Sequence, residues 1–150
     1  MLHLKYAPTN ISECIANKKL IEGLQTYLTS YYENKICIIT GIPGSGKTLT
    51  TNLVVKHLNM KSNEVNYSDK INKEVLSKKI ETYTKNILIF EDVQYYKNDL
   101  LYCLNTFFKK NKTKRKFIII KDCSFDVKFC NYIELNTGIN NKTQYRNFLK

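Results

Sequence analysis

No apolar run in this 150-residue chain approaches the roughly 20 residues that a membrane-crossing helix needs. The opening Met1-Leu2-His3-Leu4-Lys5 lacks the apolar core of a secretory signal, so the expectation is an intracellular soluble domain with no membrane partner. The five cysteines (Cys14, Cys37, Cys103, Cys123, Cys130) include no CxxC pair and are odd in number. Neither a zinc site nor a disulfide framework suits that spacing, and most are read as small buried hydrophobes. His3 and His57 are isolated and are read as structural or surface residues. No repeat and no Gly/Ser/Pro-rich linker divides the chain. Arginine occurs only at Arg115 and Arg146, so nearly all of the net charge of +11 comes from lysine.

What is present suits one globular domain. Hydrophobic residues make up 43% of the chain, enough for an ordinary core at this length. The positive charge favours an acidic partner, nucleic acid above all. A lysine excess in a chain also rich in Asn and Ile equally fits compositional drift. The densest patch, Lys109-Lys110-Asn111-Lys112-Thr113-Lys114-Arg115-Lys116, reads as a solvated turn between a helix and a strand, and direct nucleic-acid contact there stays open.

Hydrophobic spacing then sets the organisation. Asn17 to Tyr32 carries Leu20, Ile21, Leu24, Tyr27 and Leu28 at helical intervals. Ile36 to Thr40 is a short apolar run entering a glycine loop, and Lys47 to about Asn59 returns to a helix. Glu64 to Tyr67 is a weak strand. Lys70 to Tyr83 is helical, with Ile71, Val75, Lys79 and Ile80 near one face. Ile87 to Phe90 is a strand, Asp99 to Lys109 a helix, and Phe117 to Ile120 and Tyr132 to Leu135 two further strands. Continuous apolar strands alternating with helices predict a five-stranded parallel sheet covered on both faces, an α/β three-layer sandwich.

The segment Gly41-Ile42-Pro43-Gly44-Ser45-Gly46-Lys47-Thr48 fits GxxxxGK(S/T), follows a strand and opens a helix. Its glycines let backbone N–H groups form an anion cradle backed by the helix N-terminus, with Leu49 in the same turn. This predicts a P-loop that binds ATP with Mg²⁺. Lys47 is expected to reach the β- and γ-phosphates, and the Thr48 hydroxyl to join the metal shell. Ile87 to Phe90 ends in Glu91-Asp92. A carboxylate at such a strand tip can hold Mg²⁺, the role expected of Glu91, and a second can polarise an attacking water, the role expected of Asp92. Asp92 is one methylene shorter than a glutamate base, so hydrolysis is expected to be slow. Ordinary solvated acids at a strand end are the alternative. After the Phe117 strand, Asp122 is the first candidate to touch the γ-phosphate or the water and Ser124 the second. A loop-starting Asp remains the other reading.

Further features carry a resemblance. Lys5-Tyr6-Ala7-Pro8 and then Ile11 to Asn17 precede the helix and the P-loop. This arrangement resembles the opening of sliding-clamp loader subunits of the AAA+ class, the replication factor C family, where a K-Y-x-P element precedes an adenine-contacting segment. The order Phe90-Glu91-Asp92-Val93 and the end Ile120-Lys121-Asp122-Cys123 look most like the checkpoint clamp-loader large subunit. The resemblance implies an AAA+ ATPase core over residues 1–138, with 139–150 the start of a truncated helical lid. It places adenine and ribose contacts at Tyr6, Pro8, Ile15 and Ala16, and a sensor at Asp122. It also implies clamp-loader small subunits and a sliding clamp as partners in a nuclear hetero-oligomer that meets DNA, with ATP hydrolysis coupled to clamp loading. The stretch from Ser124 to Tyr132 is short and lacks the Ser-Arg-Cys finger of small subunits. Two alternatives stay open: a viral-type helicase or replication-initiation ATPase, and a non-hydrolysing nucleotide-dependent interaction module. The scarcity of arginine argues against a small-molecule kinase.

Overall fold

In the computed structural model, which describes residues 18–42, 46–67, 70–122 and 132–136, five strands form one parallel sheet flanked by helices on both faces. The strands are β1 (Ile36–Gly41), β2 (Ser62–Val65), β3 (Ile87–Phe90), β4 (Phe117–Asp122) and β5 (Tyr132–Asn136). The helices are α1 (Lys18–Leu28), α2 (Lys47–His57), α3 (Lys73–Thr82) and α4 (Lys97–Lys110), with a 3₁₀ turn at Val93–Tyr95. The spatial order is β2-β3-β4-β1-β5, so β4 lies between β1 and β3.

Strands buried on both faces need apolar residues at successive positions, and the sequence supplies them. Ile36, Ile38, Leu88, Phe90, Phe117 and Ile119 point to one face, where Leu76 and Ile80 of α3 and Leu100 and Leu104 of α4 cover them. Cys37, Ile39, Ile87, Ile89, Ile118 and Ile120 point to the other, under Leu20, Leu24, Tyr27 and Leu28 of α1 and Val54 and Val55 of α2. Alternation within each strand therefore divides one run of apolar residues between two cores. The two edge strands are the exceptions: only Val65 of β2 is buried, and in β5 Ile133 and Leu135 are only partly buried and the other positions exposed. There α1 approaches closely at Gly23, where a Cβ would stand 2.5 Å from Leu135 Cδ2.

Several boundaries differ from the pattern reading. The second strand sits two residues earlier, at Ser62–Val65, because only Val65 is fully buried and pairing with β3 starts at Ser62 opposite Ile87. Helix α3 begins at Lys73 rather than Lys70, since Asn72 caps it by accepting the Val75 N–H at 2.9 Å. Its core residues are Leu76 and Ile80; Ile71 lies before the helix, and Val75 is not among the buried positions. Strand β4 runs through Lys121 and Asp122, which pair with Thr40 and Gly41.

The basic turn is only partly solvated. Lys109, Lys110, Lys112 and Lys114 are exposed, but Arg115 and Lys116 are half-buried. Arg115 donates from Nη1 to Ile80 O at 2.5 Å and from Nη2 to Tyr83 O at 2.8 Å, satisfying carbonyls at the α3 C-terminus. Lys116 Nζ donates to Ser30 O and Oγ, each at 2.9 Å. The expectation that cysteines are buried holds for Cys37 and Cys103, and His57 is exposed. Among the described residues no helix is long and apolar enough to cross a membrane.

Candidate functional site

The C-terminal ends of β1, β4 and β3 open into a cleft of about 380 Å³ at the N-terminus of α2. Three neighbouring strands bring their last residues there, which is why side chains far apart in sequence meet. Gly46, immediately before α2, has φ 84° and ψ 20°, a left-handed conformation that glycine adopts without steric cost. No side chain caps this helix and no acid occupies its first turn. Its leading N–H groups and positive dipole end are thus directed at the cleft, a suitable seat for phosphate oxygens.

Lys47 is buried. Its Nζ donates to Gly41 O at 2.8 Å, to Ile42 O at 3.0 Å and to Asp122 Oδ1 at 3.0 Å. The register explains the last contact: Gly41 and Asp122 are paired residues at the ends of adjacent parallel strands, so the loop lysine reaches the β4 carboxylate directly.

Thr48 Oγ1 donates to Glu91 Oε1 at 2.6 Å. Burial pushes the Glu91 carboxyl above its ordinary range; the Thr48 hydrogen bond opposes that shift, and the nearby Glu64 and Asp92 carboxylates add to it. A half-buried carboxylate crowded by two others and bonded to a hydroxyl is a setting that a hard divalent cation would relieve. Among the described residues no group of three or more His, Cys, Asp or Glu side chains could hold a metal unaided. A cation here would therefore rest on Thr48, Glu91 and oxygens from a ligand.

Asp92 follows at the cleft wall with φ 55° and ψ 36°, exposed, at the head of the 3₁₀ turn. Aspartate tolerates this left-handed conformation better than most residues with a Cβ. Leu49, 39% exposed, also lines the cleft.

Two residues that pattern reasoning overlooked complete the site. Gln94, exposed on the 3₁₀ turn, faces the cleft and carried no motif signal. Tyr96 is buried beneath it, and its hydroxyl donates to Glu91 O and, at 3.1 Å, to Val65 O. Val65 O also accepts the Glu91 N–H at 2.9 Å, so the tip of β3 is held to the end of β2 by backbone and tyrosine together. The spacing Val93, Tyr96, Leu100, all buried, was the signal available for Tyr96.

Of the expected site residues, Gly41, Ile42, Gly46, Lys47, Thr48, Leu49, Glu91, Asp92 and Asp122 converge on this end of the sheet. Pro43, Gly44, Ser45, Tyr6, Pro8, Ile15, Ala16 and Ser124 lie outside the described residues, as do residues 139–150, the expected lid.

A parallel sheet with a strand inserted between the loop-bearing and acid-bearing strands, and a lysine and a hydroxyl at the head of the following helix, defines a P-loop NTPase fold. The chain belongs to the family described as novel STAND NTPase 3, whose model matches residues 21–119. It is also similar to replication factor C large subunits. The protein of Methanococcus aeolicus is 35% identical over 75 residues, 48% of this chain and 16% of the relative. That of Picrophilus torridus is 31% identical over 78 residues, 49% of this chain and 19% of the relative. Replication factor C subunit 1 of Schizosaccharomyces pombe is 30% identical over 92 residues, 51% of this chain and 10% of the relative. The chain thus spans less than a fifth of the length of these relatives. The likeness agrees with an AAA+ clamp-loader resemblance at the level of the family and does not single out its checkpoint branch.

Proposed function

We propose that this chain is an ATP-binding, Mg²⁺-dependent AAA+ domain of a clamp-loader-like protein acting in DNA replication or checkpoint clamp loading. The observation that carries the reading is the convergence of Lys47, Thr48, Glu91 and Asp122 at one end of the sheet, with Lys47 bonded to Asp122 and Thr48 to Glu91. Lys47 exchanges its present oxygen partners for β- and γ-phosphate oxygens. Thr48 and Glu91 would hold Mg²⁺, which would supply neutralisation of the phosphate charge. Asp92 accepts a proton from the attacking water, and its exposure and short side chain favour slow turnover. Asp122, released from Lys47, reads the γ-phosphate end.

The arm containing Tyr6, Pro8, Ile15 and Ala16 contacts adenine and ribose on this reading, and residues 139–150 begin a lid. The partners are clamp-loader small subunits and a sliding clamp, in a nuclear hetero-oligomer that acts on DNA. Co-purification from native cells tests the assembly: replication factor C small subunits should be retained with the chain, and a clean monomer would contradict it. If the chain turns over ATP, Glu91→Gln should remove the Mg²⁺-dependent rate.

A non-hydrolysing, nucleotide-dependent interaction module is the second reading. The Asp92 carboxylate favours it, because an exposed side chain one methylene shorter than glutamate is poorly placed to act on a water. Phosphate release by wild type above that of the Lys47→Ala variant would decide for hydrolysis.

A further inference from the structure

The opposite end of the sheet, where the strands begin, carries a surface that the nucleotide reading does not use. The α1–β1 loop and the α4–β4 loop are fastened together there. Asn34, with φ 51°, donates its N–H to Thr113 O at 2.8 Å and accepts the Thr113 N–H on Oδ1 at 2.9 Å. Its amide nitrogen also donates to Phe108 O at 3.3 Å. This clamp sets two tyrosines of one loop beside lysines of the other. Tyr31 is 83% exposed with Lys114 Nζ 5.2 Å from its ring centre, and Tyr32 is 39% exposed with Lys35 Nζ at 4.7 Å and Lys116 Nζ at 6.0 Å.

From Lys114 and Lys116 the surface continues into a groove of about 430 Å³. Its lining carries Lys61, Lys85, Lys114, Arg115 and Lys116 together with the amides of Asn59 and Asn86, and no carboxylate. A solvated charge run does not need two loops hydrogen-bonded into one platform, nor a neighbouring groove from which acids are excluded. Partial burial, with the nearby Lys114 charge adding to it, holds the Lys116 ammonium below its ordinary range, and an anion in the groove would offset both.

We propose that this lysine–tyrosine end binds single-stranded nucleic acid, with phosphates along the Lys61–Lys85–Lys114 groove and bases stacked on Tyr31 and Tyr32. Lysines supply the sequence-independent attraction to a phosphodiester backbone. Exposed tyrosine faces supply stacking that a paired duplex, whose bases are already stacked, does not offer. The surface lies about 20 Å from the nucleotide cleft, the length of six strand residues, and stands whether or not that cleft holds ATP.

The test is fluorescence anisotropy of the full chain with labelled dT and rU oligomers of roughly 20 nucleotides, across a salt series. Wild type should bind both, or one of them, more tightly than a duplex of the same length. Tyr31→Ala/Tyr32→Ala should weaken binding on the order of ten-fold or more, and Tyr31→Phe/Tyr32→Phe should retain it. Lys61→Ala/Lys85→Ala/Lys114→Ala should reduce the slope of log affinity against log salt by about 2, from three lost phosphate contacts. All variants should keep wild-type nucleotide binding and melting behaviour closely enough to show an intact fold. Undetectable oligomer binding, unchanged affinity in the tyrosine-to-alanine variant, tighter binding to duplex, or equal displacement by a polyglutamate peptide would each overturn the proposal.

Discussion

Replacing Tyr96 with phenylalanine removes one hydroxyl from beneath the cleft and leaves the ring in place. The side chain is only 4% exposed, so phenylalanine fills the same space and no cavity forms. The two carbonyls that share the hydroxyl respond differently. Val65 O keeps the Glu91 N–H at 2.9 Å and stays satisfied. Glu91 O loses its donor, but it belongs to a half-buried residue, so the cost is set at the low end for an orphaned polar group, about 1 kcal/mol. For a domain of this size that corresponds to a fall in Tm of about 2–4 °C. The functional consequence is more specific. Tyr96 fixes the backbone from which Glu91 reaches Thr48, and loss of such a supporting partner typically weakens metal binding by a factor on the order of ten. Calorimetry with ATP in Mg²⁺ and again in EDTA, beside a thermal melt, reads both effects. Affinity should drop in Mg²⁺ and hold in EDTA. An equal drop in both, or an unchanged melt, would refute the assignment of Tyr96 as the residue that positions Glu91.

Further outcomes follow from the same geometry. Burial and the Glu64 and Asp92 charges raise the folded pKa of Glu91 above 4.5, so the stability of its protonated form is full below 4.5 and is lost as pH rises through the folded value. Glu91→Gln should therefore raise the Tm of the nucleotide-free protein at neutral pH while removing its Mg²⁺ response; a lower Tm at neutral pH would contradict the repulsion. Burial pushes the thiol of Cys37, the second residue of β1, up to about 12. Mass spectrometry should find Cys37 unmodified by a maleimide at neutral pH until the chain is unfolded, and rapid labelling of the native protein would show that β1 is not covered as described.

Much of the sheet was legible because buried parallel strands leave a plain trace. Ile36 to Thr40, Ile87 to Phe90 and Phe117 to Ile120 are unbroken apolar runs, and all three became central strands. The P-loop was legible for a different reason, since few residue types serve at its fixed spacing. Strand β2 was displaced in the reading because a four-residue strand with one fully buried residue barely differs from a loop. The face of α3 was misjudged because a helix start depends on its cap, and Asn72 moved the start past Ile71. Asp122 was singled out, yet its ion pair with Lys47 depends on β4 lying beside β1, a matter of strand order that no local pattern encodes. Tyr96 was missed because a buried tyrosine reads as core, and its role rests on two carbonyls brought together by β2–β3 pairing. The basic turn was half misread for a similar reason. Arg115 lies against the rings of Phe107 and Phe117 and bonds the end of α3, partners supplied by three separate elements.

The central claim is that Lys47, at the head of α2 with its ammonium against the end of β1, binds the phosphates of ATP. Titration of MgATP into wild type and Lys47→Ala, with circular dichroism to confirm an intact sheet, tests it most directly. The account predicts that the variant folds and loses at least about 100-fold in affinity, as expected for charge-assisted hydrogen bonds to phosphate left unmade. A folded variant that binds MgATP as wild type does would contradict it.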